Sequence, residues 1–212
     1  TARGICWNTS ANPTIANSHT TDGAGIGPFE SNIGSLTANT TYHVRAYATN
    51  AAGTSYGADR EFTTDPIAVS DIDGNSYDVI RIGSQLWMAR NLMTTRLNDG
   101  TPISLTENAG DWASLDHNGY CWYGNNSANG SVHGALYNWN TVNSGTLCPA
   151  GWHVATDNDW LTMKDFLGGE LIAGGKLKET GTSHWNSPNT GATNDYDFTA
   201  LPGGWRTDAG SF

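Results

Sequence analysis

Polar and apolar positions alternate most cleanly in "TTYHVRAYATNAAGTSYG", residues 40–57. Tyr42, Val44, Ala46 and Ala48 fall on one face of an extended chain, and His43, Arg45, Tyr47 and Thr49 fall on the other. A period of two predicts a half-buried strand. "NAAG" then predicts a hairpin turn, with "TSYGADREFTT" returning as the next strand. "SLTANTTY" places Tyr42 just inside its strand after a tight connection, where a phenol can bond back to the preceding loop. A second alternating block, "SYDVIRI", is followed by a Gly83-Ser84 turn and "QLWMARNL", which together predict a β-meander. "YCWYGNN" and "GWHVAT" predict further short strands. Between the two alternating blocks, Asp65-Pro66 breaks the strand pattern and marks a boundary, because the residue before proline is restricted and proline offers no N–H.

Helical spacing enters later in the chain. In "TDNDWLTMKDFLGG", Trp160, Met163, Lys164 and Leu167 recur at the helical period, with Phe166 alongside. Thr156 stands where an N-cap belongs: its hydroxyl can accept from the Asp159 N–H while the Asp159 carboxylate reaches back to the Thr156 N–H. Asp157 and Asp159 in the first turn suit the helix dipole, and Gly168-Gly169 supplies the stop. "GALYNWNTV" predicts a short helix closing near Gly145. "AGGKLKETG" has glycines and lysines without phosphate-loop spacing, and predicts a surface turn followed by a strand.

Composition narrows the class. The 212 residues include 26 Gly and only 14% charged residues, which suits a turn-rich, β-leaning protein. Nine Trp, eight Tyr and five Phe supply ample apolar area for cores, so disorder is not expected. Trp7 is alone in residues 1–66; the other eight Trp follow Pro66. The formal charge is −10, and Arg81, Arg90, Arg96, Lys164, Lys176 and Lys178 are scattered, so a nucleic-acid surface is not expected. No apolar run approaches the length of a membrane span. The chain opens inside a strand-like run, "ARGICW", without an initiator Met or a signal peptide, and is expected to be a piece of a longer polypeptide. Three cysteines make an odd count. Cys121 and Cys148 are the disulfide candidates, or one of them awaits a partner elsewhere. No CxxC spacing favours cysteine-bound metal.

Candidate chemistry is sparse. "CPAGWHVATDNDW", Cys148 to Trp160, gathers a cysteine, a histidine, two tryptophans and several acids, but the cap explains most of its polar groups. His153 then reads as a packed histidine with one hydrogen bond, and Trp152 and Trp160 as core. Asp71, Asp73 and Asn75 suggest a calcium loop, yet counting from Asp71 puts Gly74 fourth and Ile82 twelfth, where such a loop needs Gly sixth and an acid twelfth, so a β-turn accounts for them. "NSPNTGATNDYDF" offers Asn186, Asn189, Asn194, Asp195 and Asp197. Asn189, Asp195 and Asp197 are the calcium candidates, with an ordered loop of Asx-turns as the plainer account. Trp185 and Trp205 flank this loop and are the best candidates for stacking on a sugar, with Asn194 and Asp195 beside them as polar ligand-binding candidates. No Ser/His/Asp pattern, Gly-rich phosphate loop or HExxH occurs, so no catalytic residue is assigned and no enzyme is expected.

Two resemblances sharpen this. "GICWNTSANPTIANSHTTDGAGIGPF" and "LTANTTYHVRAYATNAAGTSYG" resemble tandem fibronectin type III-like modules of bacterial surface proteins, without the first strands of the sandwich. "DIDGNSYDVIRIGSQLWMARNL", "YCWYGN", "GALYNW", "LCPAGWHVATDNDW" and "AGGKLKETGTSHWNSPNTGATNDYDFTALPGGWR" resemble the Fibrobacter succinogenes major paralogous domain. That family is similar to the C-type lectin-like superfold and its formylglycine-generating enzyme branch. The resemblances imply a partial β-sandwich over residues 1–66 and an α+β C-type lectin-like domain over 67–212, truncated at its C-terminus. They imply a non-enzymatic, extracellular or surface-bound bacterial adhesion module that recognises a glycan or another surface protein. The alternatives are a structural spacer or filament subunit that self-associates through tandem modules, and a degenerate formylglycine-generating-enzyme-like domain. The late cysteine pair that those enzymes use has no counterpart before Phe212, because Cys121 and Cys148 lie too early. No cofactor is implied, apart from the calcium candidates above.

Overall fold

A computed structural model describes residues 1–212 as two compact units, Thr1–Ile67 and Ala68–Phe212. Asp65-Pro66 lies just before the junction.

The first unit is one antiparallel sheet: β1 (Ala2–Asn8), β2 (Ser18–His19), β3 (Thr41–Asn50), β4 (Gly53–Tyr56) and β5 (Arg60–Thr63). The order is β2-β1-β3-β4, with β5 also on β3. β3 organises it. One edge pairs with β1 from Ala2↔Thr49 to Asn8↔His43. The other edge is shared by β4, opposite Tyr47–Asn50, and β5, opposite Thr41–Val44. The expected single return strand is therefore split at residues 57–59, where Arg45 Nε donates to the Gly57 carbonyl at 2.9 Å and Gly57 N–H donates to Ala46. Asn50 Oδ1 accepts from Ala52 N–H at 2.8 Å and fixes the hairpin turn. Thr37 N–H donates to the Tyr42 hydroxyl at 3.2 Å, the bond expected of a tyrosine in that place.

The two faces of β3 differ. The segments on either side of β2 cover the side bearing Tyr47 and Cys6: the Tyr47 hydroxyl donates to the Thr20 carbonyl at 2.6 Å, and the Cys6 thiol donates to the Pro13 carbonyl at 3.3 Å. On the opposite side Tyr42 and Phe62 stack at 5.9 Å, while Ala46 and Ala48 are exposed.

The second unit is β-rich, with small, mostly antiparallel sheets and short helices. β6 (Ala68–Ser70), β7 (Ser76–Ile82) and β8 (Gln85–Met88) form an antiparallel meander. A second sheet has the order β11-β10-β9, from β9 (Ser104–Leu105), β10 (Gly119–Cys121) and β11 (Leu136–Tyr137), and its β9–β10 pair is parallel. The helices are α1 (Ala109–Ala113), α2 (Gly130–His133), α3 (Trp139–Val142), α4 (Asp157–Phe166) and α5 (Glu170–Leu177). Ile82, Met163, Leu167 and Ala173 pack α4 and α5 under the meander, with Trp87, Leu177 and Phe198 against them. Leu97, Ile103, Tyr120 and Leu147 make a second core around the other sheet. Burying Met163 or Leu167 contributes about 2 kcal/mol each, since both are almost wholly enclosed. No helix is long and apolar enough to cross a membrane.

Asp71 ties the meander together. Its carboxylate accepts from the Asp73 and Asn75 N–H groups, both at 2.9 Å, from Asn75 Nδ2 at 2.8 Å and from the Tyr77 hydroxyl at 2.5 Å. Gly74 N–H donates to the Asp71 carbonyl, so this stretch is a turn whose acid is filled by donors. Asp73 accepts from Thr95 N–H and Oγ1, Thr94 Oγ1 and Arg96 Nε. Burial acts to raise its pKa, and these donors together hold it below the ordinary carboxylate range.

Several expected elements are corrected. "GALYNWNTV" is not one helix. Leu136–Tyr137 joins the β10 ladder, and Asn138, whose side chain accepts from Thr141 N–H, caps a helix confined to Trp139–Val142. "YCWYGNN" is a strand only to Cys121 and then turns. "GWHVAT" finds no strand partner and runs as irregular chain into α4. "AGGKLKETG" is largely helix rather than turn and strand, because α5 runs through Gly174-Gly175. A Cβ at Gly175 would sit 2.2 Å from the Gly191 carbonyl oxygen. The glycine is there for close approach, and Thr193 N–H donates to its carbonyl at 2.9 Å.

Candidate functional site

The cysteine-to-tryptophan stretch that suggested an active site is a helix start. Thr156 caps α4, and the capping box with Asp159 is complete. Asp159 Oδ2 accepts from Thr156 Oγ1 at 2.6 Å, Thr156 N–H at 2.8 Å and His153 Nε2 at 3.0 Å. The Thr156 hydroxyl, the Thr156 N–H and then His153 lower the Asp159 pKa to about 2. His153 is thus an exposed outer partner of the cap, not the packed histidine expected. Trp160 lies 4.8 Å from Trp87 but remains 46% exposed, so it rims the core rather than filling it.

The loop after α5 is heavily cross-braced. Trp185 Nε1 donates to the Ala200 carbonyl at 2.9 Å, and the Lys178 ammonium lies over its ring at 5.1 Å. One face of that indole is therefore occupied. The Asn194 amide grips Thr199: Oδ1 accepts from Thr199 N–H at 2.8 Å and Nδ2 donates to Thr199 Oγ1 at 3.0 Å. Asn189 Nδ2 donates to the Glu179 and Gly181 carbonyls. Asp195 and Asp197 are exposed. Asn189, Asn194, Asp197 and Thr199 all have positive φ, and side-chain bonds of Asn189, Asn194 and Thr199 brace the loop. No group of three or more His, Cys, Asp or Glu side chains is arranged to hold a metal ion.

Trp205 differs from Trp185. It is 71% exposed, on a segment with no helix or strand. That segment is nonetheless anchored. Arg206 donates through Nη1 to Thr106 O at 2.6 Å, through Nη2 to Glu107 O at 2.7 Å and through Nε to Gly210 O at 3.0 Å. Its guanidinium also lies 4.6 Å from the Trp112 ring centre and 4.9 Å from that of Phe212. Trp112 Nε1 in turn donates to the Thr207 carbonyl at 3.1 Å. The sequence reading missed Arg206, Tyr123 and Phe212; the only signal was the Trp205-Arg206 pair itself, with nothing to show what the arginine reaches.

All three cysteines are free thiols, so the candidate pair Cys121 and Cys148 is not bridged in this structure. Burial raises each thiol's pKa, that of Cys148 to about 11. This is the opposite of the shift that activates a nucleophilic cysteine.

The second unit is thus a β-rich domain of small sheets and short helices, with a braced aromatic segment at its surface. Residues 80–212 match the family model of the Fibrobacter succinogenes major domain, and the chain belongs to this bacterial family. No curated protein and no solved structure matches the chain.

Proposed function

We propose that the chain is a non-enzymatic part of an extracellular bacterial surface protein, and that its second unit recognises glycans. The observation that carries this reading is Trp205, an indole held 71% exposed by a segment that Arg206 ties to carbonyls 100 and 99 residues away. A large apolar ring on a fixed support is what stacking on the C–H face of a sugar requires. The resemblance of this unit to C-type lectin-like domains, and of the first unit to fibronectin type III-like surface modules, supports the same reading by analogy.

A structural role has one specific support. The Tyr42–Phe62 face of the first unit's sheet carries exposed Ala46 and Ala48, which suits packing against another module in a filament. The test is retention of the 212-residue chain on a panel of immobilised glycans. Retention that Trp205→Ala abolishes is expected. Absence of retention on every glycan, together with filaments seen by electron microscopy, would replace recognition with the structural role.

A further inference from the structure

Trp205 does not stand alone. Gly204 before it has φ +71°, and a Cβ built there would lie 2.4 Å from a Tyr123 ring carbon, so the backbone lies directly against that ring. The Tyr123 ring packs edge-to-face with Phe212 at 5.4 Å. Tyr123 is 39% exposed and Phe212 41%. Trp205 therefore leaves the chain one residue from the Tyr123 ring, which itself packs on Phe212, so three partly bare rings lie in one stretch of surface. They are drawn from segments more than 80 residues apart in sequence, and side-chain and main-chain hydrogen bonds hold them there. Asn129 Nδ2 donates to the Tyr123 carbonyl and Asn125 Nδ2 to that of Glu107, both at 2.8 Å, so both amides are fixed close to the Tyr123 segment.

Resting on the glycan reading above, we infer that this strip binds a neutral, extended polysaccharide, with Tyr123 and Phe212 as binding residues alongside Trp205. A single ring suits one sugar; rings in succession suit successive sugars of a chain, each offering an apolar face. Charge sets the class. The guanidinium inside the strip, Arg206, is turned onto three carbonyls and two rings, and the chain carries a formal −10. The chain's net negative charge disfavours a carboxylated or sulfated polymer overall, whereas sugar hydroxyls can bond to the Asn125 and Asn129 amides.

The experiment is native affinity electrophoresis of the full chain through gels containing hydroxyethylcellulose, galactomannan or polygalacturonate. At least one neutral polymer slows migration. Trp205→Ala and Tyr123→Ala each weaken this by about tenfold, while Trp139→Ala, whose indole is 72% exposed on α3, leaves it unchanged. Urea unfolding of Tyr123→Ala shows whether that variant is folded, and Trp205→Ala removes a side chain already in solvent, so it decides if the other fails. Slowing by polygalacturonate alone overturns the ligand class and leaves the glycan reading standing. Slowing that neither Trp205→Ala nor Tyr123→Ala reduces overturns the site and again leaves that reading. No slowing in any gel overturns the strip as a polysaccharide site, and the glycan reading is then decided by the immobilised panel.

Discussion

Replacing Arg206 by Met keeps the unbranched stem of the side chain and removes its fork of donors. Two of the three bonds lost are partly shielded, those to Thr106 and Gly210, and the one to Glu107 faces solvent. A bond from a charged donor nets about 1.5–3 kcal/mol, less when exposed, and an exposed cation–π contact about 0.5–1 kcal/mol. Met recovers some packing on Trp112 and Phe212, so the net loss is about 3–4 kcal/mol. Lys keeps the charge and can satisfy one carbonyl, which reduces the loss to about 2 kcal/mol. Urea unfolding followed by tryptophan fluorescence reads the second unit, because Trp7 is the sole indole of residues 1–67 among the nine in the chain. With a slope of about 2 kcal/mol per M, Arg206→Met lowers the midpoint by roughly 1.5–2 M. A shift below about 0.25 M would mean that water replaces the guanidinium at those carbonyls without penalty, and that the segment carrying Trp205 is held by something else.

Other outcomes follow from the same geometry. Thr156→Ala removes the α4 cap and lowers stability by about 1 kcal/mol, measured by the same urea titration. The carboxyl of Asp159 sits at about 2 in the folded chain, below the ordinary value of about 3.9. Its stabilisation is therefore complete above that ordinary value and disappears as pH falls from there through the folded value. An Asp159→Asn variant should lose this part of the acid dependence, and an unchanged acid-unfolding profile would refute the assignment. Gly134→Ala forces a Cβ to within 2.5 Å of Asn91 Cβ at φ +73°, and should cost at least about 2 kcal/mol in thermal or urea unfolding. Ellman's reagent at pH 7.5 should react slowly with the folded chain and rapidly with three thiols once it is unfolded without reductant; a count of one in urea would reveal a disulfide.

What could be read ahead of the structure was local. The β7–β8 hairpin, β3 and its Tyr42 bond follow from alternation and turn chemistry within a few residues. The α4 start was legible down to the reciprocal Thr156–Asp159 bonds, because a capping box is written in four consecutive residues. What failed depended on partners distant in sequence. α5 contains two adjacent glycines that argue against a helix; only the approach of Gly191 explains why one of them is tolerated there. Val154 and its neighbours alternate like a strand, but a strand needs a ladder and none lies alongside. The candidate site divides the same way. Trp185 and Trp205 looked equivalent in sequence, yet Lys178 covers one ring and the other is open. Tyr123, Arg206 and Phe212 come together only after the chain has folded back on itself.

That return has a consequence for the order of events during folding. The carbonyls of Thr106 and Glu107 and the indole of Trp112 wait for residues made about a hundred positions later. On the ribosome, α1 and β10 can form while those partners are still unmade, so the second sheet is first completed without its brace. Closure of so long a loop carries an entropy penalty before any contact repays it, which places the docking of 203–212 among the late steps. Arg206 variants should therefore mainly speed unfolding and leave the refolding rate nearly unchanged, the behaviour of a contact absent from the transition state.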